Sequence, residues 1–141
     1  MAQRLGARPE HLMAAMRFET GGTFASDVRN PRSSATGLIQ FMDSTARGLG
    51  TTTTALAAMT PTEQLAYVER YFAPYQGRLG DLESVYTTIL SGRPASGEDV
   101  LFSQGQRAYG PNRELDVNRD GHITAAEATA HVRRRLGVGA Q

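Results

Sequence analysis

Pro9-Glu10-His11-Leu12-Met13-Ala14-Ala15-Met16-Arg17-Phe18-Glu19-Thr20-Gly21-Gly22 is the stretch whose reading decides the fold. Leu12, Met13 and Met16 recur at helical spacing and form one apolar stripe. Pro9 suits the start of a helix, and Gly21-Gly22 suit the left-handed positions beyond its end. Glu19 lies three residues beyond Met16 and seven beyond Leu12, which puts it on the apolar face. It also lies in the last turn, where unpaired carbonyls make the local potential negative. Apolar burial and the helix C-terminus both disfavour a charged carboxylate, so both push its pKa upward. A glycosidase needs such a group, still protonated near neutral pH, to donate a proton to the leaving oxygen. On position alone, a Glu turned outward to solvent is the commoner case.

Downstream the pattern changes. Residues 23–41 hold Ser, Asn, Pro, Thr and Gly with few periodic apolar positions, which predicts loops or a small β-hairpin. Asp43-Ser44-Thr45 predicts a short helix ending by Gly48 or Gly50, and Thr51–Thr54 a loop leading into the apolar stretch Ala55–Met59. Thr60-Pro61-Thr62-Glu63 is a strong helix start, with Thr60 as N-cap, Pro61 at the first position and Glu63 closing a capping box. Leu65, Val68 and Phe72 are its stripe, and Pro74 stops it. Asp81 caps a further helix with Leu82, Val85, Tyr86 and Ile89 on one face. Glu98–Gln104 reads as one more short helix. Thr124–Leu136 reads as the last, ended by Gly137 and Gly139. The expected architecture is a mainly α, single domain over residues 1–141, with an irregular or β-hairpin segment after the first helix.

Glu19-Thr20-Gly21-Gly22, followed by Gly37-Leu38-Ile39-Gln40-Phe41 and then Asp43-Ser44-Thr45-Ala46-Arg47, resembles the lysozyme-like superfamily. The likeness is to phage muramidases and lytic transglycosylases, and over residues 9–50 its specificity is moderate to good. It implies an α+β lysozyme-like fold, Glu19 as the general acid and Gln40 on a turn that contacts the sugar. The substrate it implies is peptidoglycan, cut at the β-1,4 bond between N-acetylmuramic acid and N-acetylglucosamine. Asp27 and Thr36 correspond to the second acid and the water-holding Thr of phage lysozymes. The alternatives at those two positions are a solvated loop Asp and a turn Thr. If Asp27 does not face the cleft, a single-acid transglycosylase route follows, with a 1,6-anhydro product. Tyr86, in Val85-Tyr86-Thr87, corresponds to the Tyr of an Ala-Tyr-Asn element, and the Asn of that element is missing. A core Tyr is its equal alternative.

Asp116-Val117-Asn118-Arg119-Asp120-Gly121-His122-Ile123-Thr124-Ala125-Ala126-Glu127 fits an EF-hand loop from end to end. Asp116, Asn118, Asp120 and Glu127 offer side-chain oxygens, and His122 its backbone carbonyl. Gly121 permits the sharp turn and Ile123 points to the core. Thr124 and Glu127 double as N-cap and third residue of the last helix. Because the loop is single, it reads as a structural Ca2+ site and not a switch. Tyr109-Gly110-Pro111-Asn112 ahead of it completes a pattern similar to that of some lysozyme-like proteins.

Composition excludes several classes. There is no Cys, hence no disulfide or thiolate chemistry, and every basic side chain other than His is Arg. Without Lys there is no Schiff base and no Walker lysine. Net charge is +1, so no global field favours nucleic acid. No apolar run approaches the roughly 20 residues of a membrane span. Met1–Arg17 carries Arg4, Arg8, Glu10 and Arg17 and does not read as a signal peptide. The expectation is a monomeric phage lysin or a virion tail enzyme acting at the bacterial wall. A chitinase or chitosanase on the same fold, a non-catalytic glycan-binding tail module and a calcium-responsive interaction protein are the competing readings. Arg133-Arg134-Arg135 reads as a solvated face near a helix end or as an attractor of anionic wall polymers.

Overall fold

A computed structural model describes residues 1–136 of the chain, so Gly137 and Gly139 lie outside the described residues. Eight helices occur there: α1 (Ala2–Leu5), α2 (Pro9–Glu19), α3 (Asp43–Gly48), α4 (Thr53–Ala57), α5 (Pro61–Phe72), α6 (Leu82–Ser91), α7 (Tyr109–Asn112) and α8 (Ala125–Leu136). Two short strands, β1 (Val100–Ser103) and β2 (His122–Thr124), pair antiparallel with an irregularity between Val100 and Phe102. The fold is mainly α with a small β element, as the sequence predicts, but the strand pair lies outside the segment expected to carry it. No helix of the described residues is long and apolar enough to cross a membrane.

The helix starts follow the sequence closely. Thr60 and Glu63 close the capping box on α5, with the Glu63 N–H donating to Thr60 Oγ1 at 3.1 Å and the Thr60 N–H to Glu63 Oε1 at 2.8 Å. Asp81 caps α6 through the Ser84 N–H at 2.7 Å. After Pro74 the chain makes only a 3-10 turn, Ala73–Tyr75.

Three expectations need correction. Glu98–Gln104 is not a helix: its centre, Val100-Leu101-Phe102, is β-prone, and it becomes β1 by pairing with the strand that the 116–127 loop offers. The residues just before β1 also cap α8, whose Ala125 and Ala126 N–H groups donate to the carbonyls of Asp99 and Gly97, each at 2.9 Å. Met13 is not on the buried stripe but 50% exposed; Leu12, Ala15 and Met16 carry it instead. Thr51–Thr54 is loop only in its first half, since Thr53–Ala57 is α4 and Thr52 its side-chain N-cap.

Two buried apolar clusters make the core. One gathers Leu5, Leu12, Ala15, Met16, the 38–41 turn, Leu56, Val68, Phe72, Leu79 and Val85. The other gathers Leu82, Tyr86, Leu115, Ile123, Ala128 and Val132, with Ala14 and Phe18 packed against it. The helices α2 and α6 supply both clusters from opposite sides, which sets Glu19 at the seam between them. Burying an apolar side chain in such clusters contributes about 1.5–3 kcal/mol each.

Candidate active site and candidate metal site

Glu19 is the last residue of α2. Thr20 follows it and is buried: its Oγ1 donates to the Met16 carbonyl at 2.8 Å and accepts the Phe24 N–H at 2.9 Å. That hydroxyl turns the chain sharply and leaves Glu19 partly buried at the corner. Burial alone pushes the Glu19 carboxyl up to about 7. Among the described residues no ion pair or hydrogen bond engages it.

Two tyrosines feel its charge. Tyr86 of α6 is buried, edge-on to Phe18 at 5.6 Å between ring centroids, and burial first and Glu19 second raise its phenol. Tyr71 of α5 is pushed up to about 12 by burial, then by Tyr75 and Glu19, and its hydroxyl donates to the Thr88 carbonyl at 2.8 Å. Sequence reasoning missed Tyr71, although Tyr67 and Tyr71 sit four apart on α5, a visible second stripe. A cavity of about 40 Å³ lies between Gln40, Met42 and Tyr71. Tyr71 therefore links the Glu19 corner to the turn that carries Gln40.

The 23–41 segment is irregular, with isolated antiparallel bridges from Thr36 to Arg29 and to Phe41 in place of a regular hairpin. Its turn is fastened by side-chain amides. Gln40 holds a left-handed φ of 56°, and its Nε2 donates to the carbonyls of Gly37 at 2.9 Å and Val28 at 3.1 Å. A non-glycine residue there is strained unless the surroundings over-determine it. Its Oε1 accepts nothing among the described residues.

Gln64 of α5 does more and was not foreseen. It is fully buried; its Nε2 donates to the carbonyls of Ser26 at 3.0 Å and Leu56 at 2.9 Å, and its Oε1 accepts the Leu38 N–H at 2.7 Å. The signal was present: Gln64 stands four before Val68 and eight before Phe72, on the same buried stripe. Gly37 takes a φ of 86°, and a Cβ added to it would overlap the Gln64 amide, so the backbone approaches there only because Gly37 has no side chain.

The two remaining candidates have surroundings of their own. Thr36 is fully buried and its hydroxyl donates to the Ser34 carbonyl at 2.9 Å, so it is not placed to hold a cleft water. Asp27 is exposed on the loop, and no neighbouring charge contributes to the Glu19 shift.

In the 116–127 loop, Asp116, Asp120 and Glu127 each offer a carboxylate oxygen, and these lie within 4.8 Å of one another. Asp116 is buried, Glu127 half-buried and Asp120 exposed. Three converging carboxylates are unfavourable without a cation, and the group could hold a metal ion. The loop backbone is arranged around them. Gly121, at φ 86°, donates its N–H to Asp116 Oδ2 at 2.9 Å, and the Tyr109 hydroxyl donates to the same oxygen at 2.6 Å. The Tyr109 bond, ahead of the backbone donors at Gly121 and Asp120, holds Asp116 below the usual carboxylate range. Glu127 accepts the N–H groups of Val117 at 2.9 Å and Thr124 at 3.1 Å. The side-chain Oδ1 of Asn118 accepts the Asp120 N–H at 3.3 Å. The His122 ring turns to Ser103 Oγ, 2.9 Å from Nδ1, leaving only its backbone for the loop. Ile123 is fully buried, as expected.

Comparison with protein-family models, with curated proteins and with solved structures gives no match to this chain.

Proposed function

We propose that this protein cleaves the glycan strands of peptidoglycan, with Glu19 protonating the β-1,4 glycosidic oxygen between N-acetylmuramic acid and N-acetylglucosamine. The observation that carries the proposal is the isolated carboxyl at the end of α2, pushed up to about 7 by burial with no ionic partner. At neutral pH half of such a group keeps its proton, which a general acid requires. The Gly37–Phe41 turn, which resembles that of lysozyme-like enzymes, supports the substrate class. Gln40 offers a free amide oxygen to a sugar, and Tyr86 and Tyr71 close the apolar side of the site.

Of the two chemistries, the single-acid one is favoured. An inverting or retaining hydrolase needs a second carboxylate within about 5–9.5 Å of the first; Asp27, the candidate for it, is exposed on its loop, and Thr36 commits its hydroxyl to the Ser34 carbonyl, so neither supports a second catalytic group. In the transglycosylase route Glu19 gives its proton to the departing oxygen. It then takes one from the muramic C6 hydroxyl as that oxygen attacks C1, so the product is a 1,6-anhydro sugar and Glu19 ends protonated. The loop at 116–127 would bind Ca2+ through Asp116, Asn118, Asp120, the His122 carbonyl and Glu127, fixing the start of α8. A phage lysin or tail enzyme acting at the bacterial wall is the setting that fits this activity.

The test is digestion of purified cell walls by the wild type and by Glu19→Gln, with mass spectrometry of the products. Anhydro ends that vanish in the variant are the expected result. Reducing ends, one water heavier, would replace the transglycosylase with a hydrolase. Undiminished wall clearance by Glu19→Gln would overturn the proposal, and cleavage of chitin oligomers but not walls would replace its substrate.

A further inference from the structure

The arginine run near the end of the chain is split by the fold. Arg133 turns toward Glu83 of α6, 4.0 Å away. Arg134 instead lines a cavity of about 600 Å³ with Arg113 and Arg119, walled by His131 and Tyr109. None of these three guanidinium groups forms an ion pair among the described residues. The acids on the same wall are Glu114 and Asp116. Asp116 already accepts from Tyr109 and Gly121, so its carboxylate is engaged by the loop's own donors.

Three arginines without an ion pair among the described residues outnumber the two acids, Glu114 and Asp116, around one concavity, so its lining favours an anion. Guanidinium forks match the paired oxygens of carboxylates and phosphates. The cavity is also of a size that takes a small organic ligand and not merely an inorganic ion. We infer that the cavity between α7, the 113–119 segment and α8 binds an anionic ligand through a carboxylate or phosphate group held by Arg113, Arg119 and Arg134. The floor beside them, Val117 and the Tyr109 ring, takes the ligand's apolar part. This site is separate from Glu19 and stands whether or not Glu19 is an acid catalyst. If the substrate is wall polymer, the two sources of such a group are the peptide carboxylate and a polyol phosphate chain.

The test is titration of the full chain in calcium-containing buffer, watching the His131 ring protons by NMR. N-acetyl-D-alanine probes the carboxylate source and glycerol 3-phosphate the phosphate source. A saturable His131 shift with at least one probe is expected, and the probe that binds identifies the source. Arg113→Gln combined with Arg134→Gln should weaken that binding about tenfold or more. Arg134→Lys, which keeps the charge but loses the fork, should fall between. A shift that never saturates with either probe overturns the inference, as does saturable binding that the double variant leaves unchanged while its backbone spectrum stays that of the folded protein.

Discussion

The end of α2 and the 116–127 loop treat carboxylates in opposite ways. At the end of α2 one carboxyl stands partly buried with no hydrogen-bond donor among the described residues, and it is pushed up toward neutrality. In the 116–127 loop three carboxylates converge and take hydrogen bonds from backbone N–H groups and from Tyr109, and Asp116 is held down. The same functional group keeps its proton toward neutral pH in one place and is a fixed anion in the other. Burial decides the first and donated hydrogen bonds decide the second. The difference teaches that burial by itself does not announce chemistry; the count of donors around the carboxylate does.

Replacing the lone carboxyl should have the largest effect. Glu19→Gln should lower the rate of wall cleavage by about a thousandfold or more, since it removes the proton that departs with the leaving group. It should also stabilise the fold at alkaline pH. Glu19 binds its proton more tightly folded than unfolded, so its favourable contribution is complete below about pH 4.5 and is lost as pH rises through about 7. Above pH 7 the variant should therefore be more stable than the wild type by up to about 3 kcal/mol, read from denaturant melts at pH 5 and pH 8. A variant as pH-dependent as the parent would dissolve the contrast with the loop. Cleavage by the wild type should likewise decline as pH rises through about 7.

Gln64→Leu tests whether the Glu19 side depends on its own hidden donors. Three backbone groups, at Ser26, Leu38 and Leu56, would lose their partner inside the core. Each orphaned buried group costs about 1–3 kcal/mol, so a loss of about 3 kcal/mol is expected in chemical denaturation. A loss under about 1 kcal/mol would mean the turn holds itself.

How far the sequence disclosed all this varies by region, and the reasons are physical. In the 116–127 loop the turn and the helix cap were legible, because each demands particular residues at fixed offsets, and Gly121, Ile123, Thr124 and Glu127 sit as those demands require; the three carboxylates that could hold a metal ion were legible from their spacing. The starts of α5 and α6 were legible for the same reason. Glu19 was legible from helical periodicity. Its surroundings were not, because the 23–41 segment is held by Gln40, Gln64 and Thr20, whose partners lie up to 38 residues away. No local pattern encodes such pairings. The strand β1 was missed because its four residues become a strand only against β2, and the full burial of Thr36 was not legible because it depends on two bridges that the sequence does not print.

The loop supplies the two smaller tests. Calcium bound to the folded chain alone should raise stability by about 3 kcal/mol at a hundredfold excess over its dissociation constant, with chelator reversing it. Glu127→Gln should abolish that gain and leave wall cleavage measurable, since Glu19 does not draw on the loop. Tyr109→Phe is finer. It removes one donor to Asp116 while Gly121 and Asp120 keep theirs, so it should cost about 1 kcal/mol in calcium-free melts. Asp116 would then titrate closer to its ordinary range, and acid unfolding should begin at a higher pH. With calcium present the ion should replace the lost donor and most of the difference should close. If the cost stays the same in calcium and in chelator, Tyr109 braces the loop as packing alone, and Asp116 owes its lowered pKa to the backbone.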